Sequence, residues 1–144
     1  MNTVELECLI SHHVRRFDGV FSSDRLPSKP RLLMSNTQPS NKPGEHWIVI
    51  YVDDDGRYGE YFDTFGRAPT GEFKRYMKKH CRRWTYNRQQ LQSIASRFCG
   101  YYCACYSVLR SRGVDISSFV RYFTGDTGLN DLFVYELICR INNI

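Results

Sequence analysis

Long apolar runs are missing from this sequence. Nothing in its 144 residues approaches the roughly 20 consecutive apolar side chains that a membrane-spanning helix requires. The opening MNTVELECLISHHVRRF has no basic stretch ahead of an apolar core and no small-residue cleavage site, so no secretory signal is read and a non-secreted protein is expected. Paired C-x2-C and H-x3-H modules are also lacking, and with them the usual frame of a structural zinc site; no metal is expected. There is no internal repeat and no low-complexity tract, which excludes solenoids and disordered linkers. Acidic residues are outnumbered, leaving a formal charge of +5, which permits a polyanionic partner without requiring one.

What the chain does have is core material. Hydrophobic residues make up 42% of it and aromatic residues 15%, enough for one packed domain over 1–144. Its six cysteines, without a secretion signal, are expected to be reduced thiols rather than a disulfide framework.

Patterning predicts an α+β fold, a small and mostly antiparallel sheet flanked by helices. Residues 2–13 form a helix with Asn2 as cap, Glu5 in the first turn and Leu6, Leu9 and Ile10 on one face. Residues 17–44, rich in Ser, Pro and Asn, are loops around one strand, RLLM at 31–34. HWIVIYVDDDGRYGEYFDTFG places Asp55-Gly56 between two β-branched and aromatic runs, the signature of a two-residue hairpin. TGEFKRYMKKHCRR is a helix capped by Thr70, and RWTYN a short strand. A further helix begins near Cys99 and stops at Gly113. Helices over 117–123 and 129–141 complete the chain, the last with Leu129, Leu132, Phe133, Leu137 and Ile141 inward.

SRFCGYYCACYS concentrates three cysteines in seven residues. On a helix Cys99 and Cys103 share a face while Cys105 points elsewhere, which is poor metal geometry. Cys103 and Cys105, mid-helix among Tyr101, Tyr102, Ala104 and Val108, are small buried hydrophobes. Cys99 differs, because at a helix start unpaired N–H groups and the dipole stabilise a thiolate. Gly100 beside it permits close approach by a backbone or a substrate.

A nucleophilic thiol needs a base and a group that orients it. Of the four histidines, His12 and His13 belong to the surface of the first helix and His80 to the end of a basic one. His46 precedes the first hairpin strand. If Asp55 and Gly56 form the loop, Asp63 lies opposite Ile48, whose side chain points the same way as that of His46. His46 and Asp63 then become diagonal neighbours about 7–8 Å apart at Cα, closer at their tips. Glu60 pairs with Tyr51 and points to the opposite face, so the register selects Asp63 as the orienting acid. Lys74, Arg75, Lys78, Lys79 and Arg82 form a basic stripe that is either a solvated helix face or a track for phosphates.

The pieces GEHWIVIYVD, YFDTFG and QSIASRFCGYYC, in this order and at these intervals, resemble the adenovirus-type cysteine proteases (adenain family), a group related to the SUMO deconjugases. FDTFG resembles their acid-x-Phe-Gly motif, with Asp63 where many members have Glu. FDGVFSSDRLP is similar to the versions in Polinton/Maverick elements and related DNA viruses. The resemblance covers about residues 17–110. It implies the cysteine-protease fold of the adenain/SUMO-deconjugase type, with Cys99 as nucleophile, His46 as base and then acid, and Asp63 as its orienter. It further implies that Gln92 donates to an oxyanion hole and that Trp47 walls the site. The implied reaction is peptide hydrolysis through a thioester, beside small residues such as Gly, in capsid or other structural precursors. The implied setting is a monomer in the virion and the host nucleus or cytoplasm. Family members use DNA and an activating peptide that disulfide-bonds to the enzyme, and Cys81 resembles the cysteine that receives it. Two rival readings stand beside this one: a ubiquitin-like deconjugase on the same frame, and a non-catalytic basic DNA-binding module.

Overall fold

The computed structural model of the chain describes residues 3–38, 46–94 and 96–143. In chain order the elements are α1 (Thr3–His13), β1 (Gly19–Phe21), β2 (Leu32–Asn36), β3 (Trp47–Val52), β4 (Tyr58–Phe62), α2 (Gly71–His80), β5 (Arg83–Tyr86), α3 (Cys99–Ser111), α4 (Ile116–Val120) and α5 (Thr127–Asn142). The expected cap of α1, Asn2, lies outside the described residues. No described helix is long and apolar enough to cross a membrane.

The strands form one five-stranded sheet in sequence order. Its inner pairs, β2–β3 and β3–β4, are antiparallel. Its edges, β1 on β2 and β5 on β4, are parallel. The α+β class is as expected, with a mixed sheet. The three residues of β1 are too few for alternation to reveal a strand.

WIVIYV is apolar throughout because both faces of β3 are covered. Ile48, Ile50 and Val52 join Tyr61, Phe73 and Met77 beneath α2. Val49 and Phe62 join the larger cluster built by α1, α3, α4 and α5. On that side Glu60 is fully buried, yet saturated. Its carboxylate accepts from Tyr58 Oη (2.5 Å), Tyr106 Oη, Arg110 Nη1 (3.2 Å) and the Ile116 N–H (3.1 Å), tying β4 to α3 and α4.

Beyond the closing bond from Asp53 N to the Tyr58 carbonyl (3.0 Å), the β3–β4 loop holds four residues, 54–57, rather than two. Asp53 builds it: its carbonyl accepts from Gly56 N (3.2 Å) and its carboxylate from Arg57 N (2.8 Å). The loop remains centred on Asp55–Gly56, so the ladder is unchanged: Val49 faces Phe62, Ile50 faces Tyr61, and Tyr51 faces Glu60. Lengthening by an even number keeps every side chain on its face.

Helix α2 ends at His80, before the expected 83. Cys81 is extended, and the next amides, Arg82 N and Arg83 N, donate to the hairpin carbonyls of Gly56 (3.1 Å) and Arg57 (3.2 Å). Gly113 (φ +95°) follows α3 as anticipated.

The inward face of α5 differs from the expected one. Leu129 and Leu132 are 53% and 67% exposed, and the buried line is Asn130, Val134 and Ile138, with Phe133, Leu137 and Ile141 partly covered. Asn130 sets this rotation. Its Nδ2 donates to the carbonyls of Leu91 (3.0 Å) and Thr124 (2.8 Å), and its Oδ1 accepts from Thr124 N (2.9 Å). Turning α5 to bury Leu129 would break all three bonds and leave the two carbonyls only the longer 3.3 Å contacts from Tyr102 Oη and Gln89 Nε2. Asn130→Ala is therefore expected to lower unfolding free energy by about 2–3 kcal/mol in urea titrations, whereas Leu132→Ala changes it by less than about 0.5 kcal/mol.

Candidate active site

A cleft of about 900 Å³ opens where β3 begins, β4 ends and α3 begins, and Cys99, His46, Trp47, Asp63 and Gln92 all line it. The first residues of α2 form part of its rim.

Cys99 is the first residue of α3. Phe98 caps the helix without a side-chain hydrogen bond, and no acidic residue occupies the first turn, so nothing there offsets the positive end of the dipole at the thiol. One turn on, Cys103 is fully buried, with Sγ 3.5 Å from the Trp47 carbonyl; Cys105 is equally buried under α5. Burial drives the Cys103 thiol pKa far up and that of Cys105 up to about 12, so both are inert core residues, as expected.

His46 is 14% exposed and Asp63 7%, and His46 Nε2 lies 2.8 Å from Asp63 Oδ1. That contact leaves Nδ1 as the uncommitted ring nitrogen, and Cys99 lines the same cleft. The imidazole lies flat on Phe65, centroids 4.5 Å apart and planes 18° apart. Burial alone lowers the His46 pKa. The hydrogen bond and charge of Asp63, with the neighbouring Cys99, outweigh it and raise the value to about 9. The ring is therefore held as an imidazolium at neutral pH.

The acid is held by residues that sequence reasoning missed. Asn87 grips Asp63 from both sides, its Oδ1 accepting from Asp63 N (3.0 Å) and its Nδ2 donating to Asp63 O (2.6 Å). Asp63 Oδ1 also accepts from Phe65 N at 2.9 Å. Gly66 turns the chain at φ +73°, donating to Asp63 O at 2.8 Å; a Cβ there would sit 2.8 Å from the Arg88 carbonyl. The Phe and Gly of FDTFG thus have separate physical duties: one backs the imidazole, the other permits the turn.

Thr64 links this segment to Gln92. Its hydroxyl donates to Gln92 Oε1 (2.6 Å), and its carbonyl accepts from the amides of Leu91 (2.8 Å) and Gln92 (3.3 Å). Gln92 is 1% exposed, and its Nε2 donates to the Ser96 carbonyl at 2.9 Å. One amide hydrogen is thus committed to Ser96, and the group as a whole has a single orientation. The signal for Thr64 lay inside the motif already singled out, whereas Asn87 had none, its partners being 24 residues away.

Other expected site residues lie elsewhere. Gly100 is buried against α1: a Cβ there would come 2.8 Å from Leu6 Cδ1, so its close approach is to the core rather than to a substrate. Cys81 is 6% exposed, packed against Gly59 and Met77 beneath the sheet, and burial, with Asp53, pushes its thiol up to about 11. Lys74, Arg75, Lys78, Lys79 and Arg82 are all exposed on α2 and the residues after it, outside the cleft. Among the described residues no group of three or more His, Cys, Asp or Glu side chains is placed to hold a metal ion.

Asn87→Ala removes both hydrogen bonds to Asp63 and leaves its buried N–H without a partner. The expected cost is about 2–4 kcal/mol by chemical denaturation, with larger chemical-shift changes at Phe65 and Gly66 than anywhere in α5.

No family model matches the sequence, and no curated relative does. Among solved structures, two crystal structures of the ASFV pS273R protease align with this chain. One has a TM-score of 0.52 at 22% identity, covering 76% of this chain. The selenomethionine form has a TM-score of 0.51 at 23% identity, covering 72% of this chain. This chain spans 43% of that protease's length. The SUMO protease Ulp1, its catalytic cysteine oxidised to a sulfonic acid, covers 96% of this chain and 79% of its own, but at 12% identity and a TM-score of 0.45, too low to establish a shared fold. Over the aligned part, the sheet with its flanking helices thus shares the fold of a portion of the ASFV protease, at less than a quarter identity.

Proposed function

We propose that the protein is a cysteine endopeptidase with Cys99 as nucleophile. The observation that carries this reading is the meeting, in one cleft, of Cys99 at the start of α3 with His46 and the Asp63 carboxylate that holds its Nε2 at 2.8 Å. A thiol at a helix N-terminus beside a histidine oriented by a carboxylate has the layout of a nucleophile with its base and orienter.

The chemistry follows from the geometry. The Cys99 thiolate attacks the scissile carbonyl, and the tetrahedral oxyanion is met by the Cys99 backbone N–H and the second amide hydrogen of Gln92. Imidazolium Nδ1 gives its proton to the leaving amine, which departs and leaves a thioester on Cys99. Neutral His46 then takes a proton from water, whose oxygen attacks the thioester. Collapse returns the thiolate and the imidazolium and releases the acid. Asp63 holds Nε2 throughout. Phe65 covers one face of the imidazole, and Trp47 walls the same cleft.

In this reading the substrates are structural precursor proteins of a virus or viral-like element, cut beside small residues such as Gly. DNA, if it stimulates the reaction, tracks the exposed stripe of α2. An activating peptide disulfide-bonded to Cys81 is left out of the reading, because that thiol is buried and protonated.

Iodoacetamide at neutral pH is expected to modify Cys99 well ahead of the five other cysteines, and His46→Ala to abolish that preference; uniform slow labelling contradicts the proposal. Hydrolysis of a short Gly-containing peptide is expected to fall by about 10²–10⁴ in His46→Ala and to be undetectable in Cys99→Ala. Cleavage of a ubiquitin-like fusion in preference to the peptide would assign the chemistry to deconjugation. Equal rates with and without duplex at low salt would remove α2 from the mechanism.

A further inference from the structure

At the far ends of α3 and β3 from the cleft lies a second concavity of about 400 Å³. Four segments meet there: residues 13–16 at and just after the end of α1, Arg31 and Leu32 where β2 begins, Tyr51 and Val52 at the end of β3, and residues 110–112 at the end of α3. It shares no lining residue with the cleft, and the length of α3 separates the two by about 20 Å.

Its charge is one-sided. Arg15, Arg16, Arg31, Arg110 and Arg112 line it with a single carboxylate, Asp54. Asp54 serves Arg16 (2.7 Å) and Arg31 (3.4 Å), and Glu60, buried beneath, serves Arg110 (3.2 Å). Arg15 and Arg112 are exposed and, among the described residues, have no carboxylate within ion-pair distance. Helices α1 and α3 both end here, each contributing about half a negative charge. The two carboxylates and two helix ends offset roughly three of the five arginines, so about two positive charges remain uncompensated in a concave site, where potentials are focused. The His13 pKa is lowered by burial, then by His12 and by Arg112, as a positive surrounding requires.

The site is also shaped. The Arg110 guanidinium lies 4.2 Å above the Tyr51 ring and is pinned by Glu60, so its plane is set before any ligand arrives. Val14, Leu32 and Val52 supply an apolar wall. A concave, apolar-walled pocket of this volume suits a compact ligand, whereas the extended stripe of α2 is the surface that fits a long backbone.

We propose that this pocket binds a small polyphosphate-bearing anion, of the size class of a nucleotide, held by Arg15, Arg16, Arg31 and Arg112 against the fixed guanidinium of Arg110. The planar, multidentate donors of arginine match phosphate oxygens. Such a site would stand whether or not Cys99 is a nucleophile, since the two share no residue.

The test is calorimetric titration of the full chain with inorganic tripolyphosphate, and separately with ATP, at low salt and at about 0.15 M. Saturable one-to-one binding is expected, weakened about tenfold or more in Arg15→Ala/Arg112→Ala. Both side chains are exposed, so the variant is expected to keep the wild-type melting temperature; Arg16→Gln supplies an independent second variant. Lys74→Ala/Lys78→Ala/Lys79→Ala on α2 is expected to bind tripolyphosphate normally. Unsaturable binding, or equal loss in the α2 variant, would reduce the effect to general Coulomb attraction and overturn the proposal. So would a short DNA duplex or a glutamate-rich peptide that binds through Arg15 and Arg112 where tripolyphosphate does not.

Discussion

The pairing of β3 with β4 is the constraint on which the candidate site depends. With Val49 opposite Phe62, His46 and Asp63 emerge from the same end of the sheet and on the same side, close enough for a 2.8 Å contact. A slip of one residue would carry Asp63 to the α3 face and bring Glu60 out of its saturated pocket. The register is therefore defended from both sides of the sheet. On one side it buries Ile48 and Ile50 with Tyr61 under α2. On the other it delivers the Glu60 carboxylate to four donors from β4, α3 and α4. A misregistered hairpin loses apolar burial and leaves a charged group without partners, a cost of several kcal/mol.

Register places the acid, but the fine geometry comes from the segment after β4. Residues 63–66 form a turn whose polar atoms are almost all committed: Asp63 to His46, Asn87, Phe65 and Gly66, and Thr64 to Leu91 and Gln92. One short turn thereby sets the imidazole, the acid and the Gln92 amide relative to one another. Preorganisation of this kind matters because dipoles already aimed at a reacting centre need not reorganise during the reaction.

The sequence made the hairpin legible for reasons that survive an error in its loop. The loop was expected to hold two residues and holds four, yet both versions are centred on Asp55–Gly56, so the facing pairs agree. Cys99 stood out by position, at the start of a helix whose interior cysteines are core. Local pattern failed where a polar residue makes non-local bonds. Asn130 turns α5 because it satisfies carbonyls near residues 91 and 124, and apolar periodicity, which favoured Leu129 and Leu132, carries no trace of that. Asn87 was invisible for the same reason. Gly100 was read from its neighbour Cys99 when its true neighbour is Leu6, far away in the chain. Conversely, the basic stripe of α2 drew attention by its regular spacing, while the denser arginine pocket, assembled from four separate segments, had no sequence pattern at all.

The account turns on an imidazole held protonated beside Cys99 by Asp63. Titration of the His46 ring by NMR, followed through its Cε1 resonance, addresses this directly. A midpoint near 9 is predicted for the wild-type protein, with a clear fall in Asp63→Asn. A midpoint near the ordinary histidine value of about 6.5, indifferent to Asp63→Asn, would contradict it.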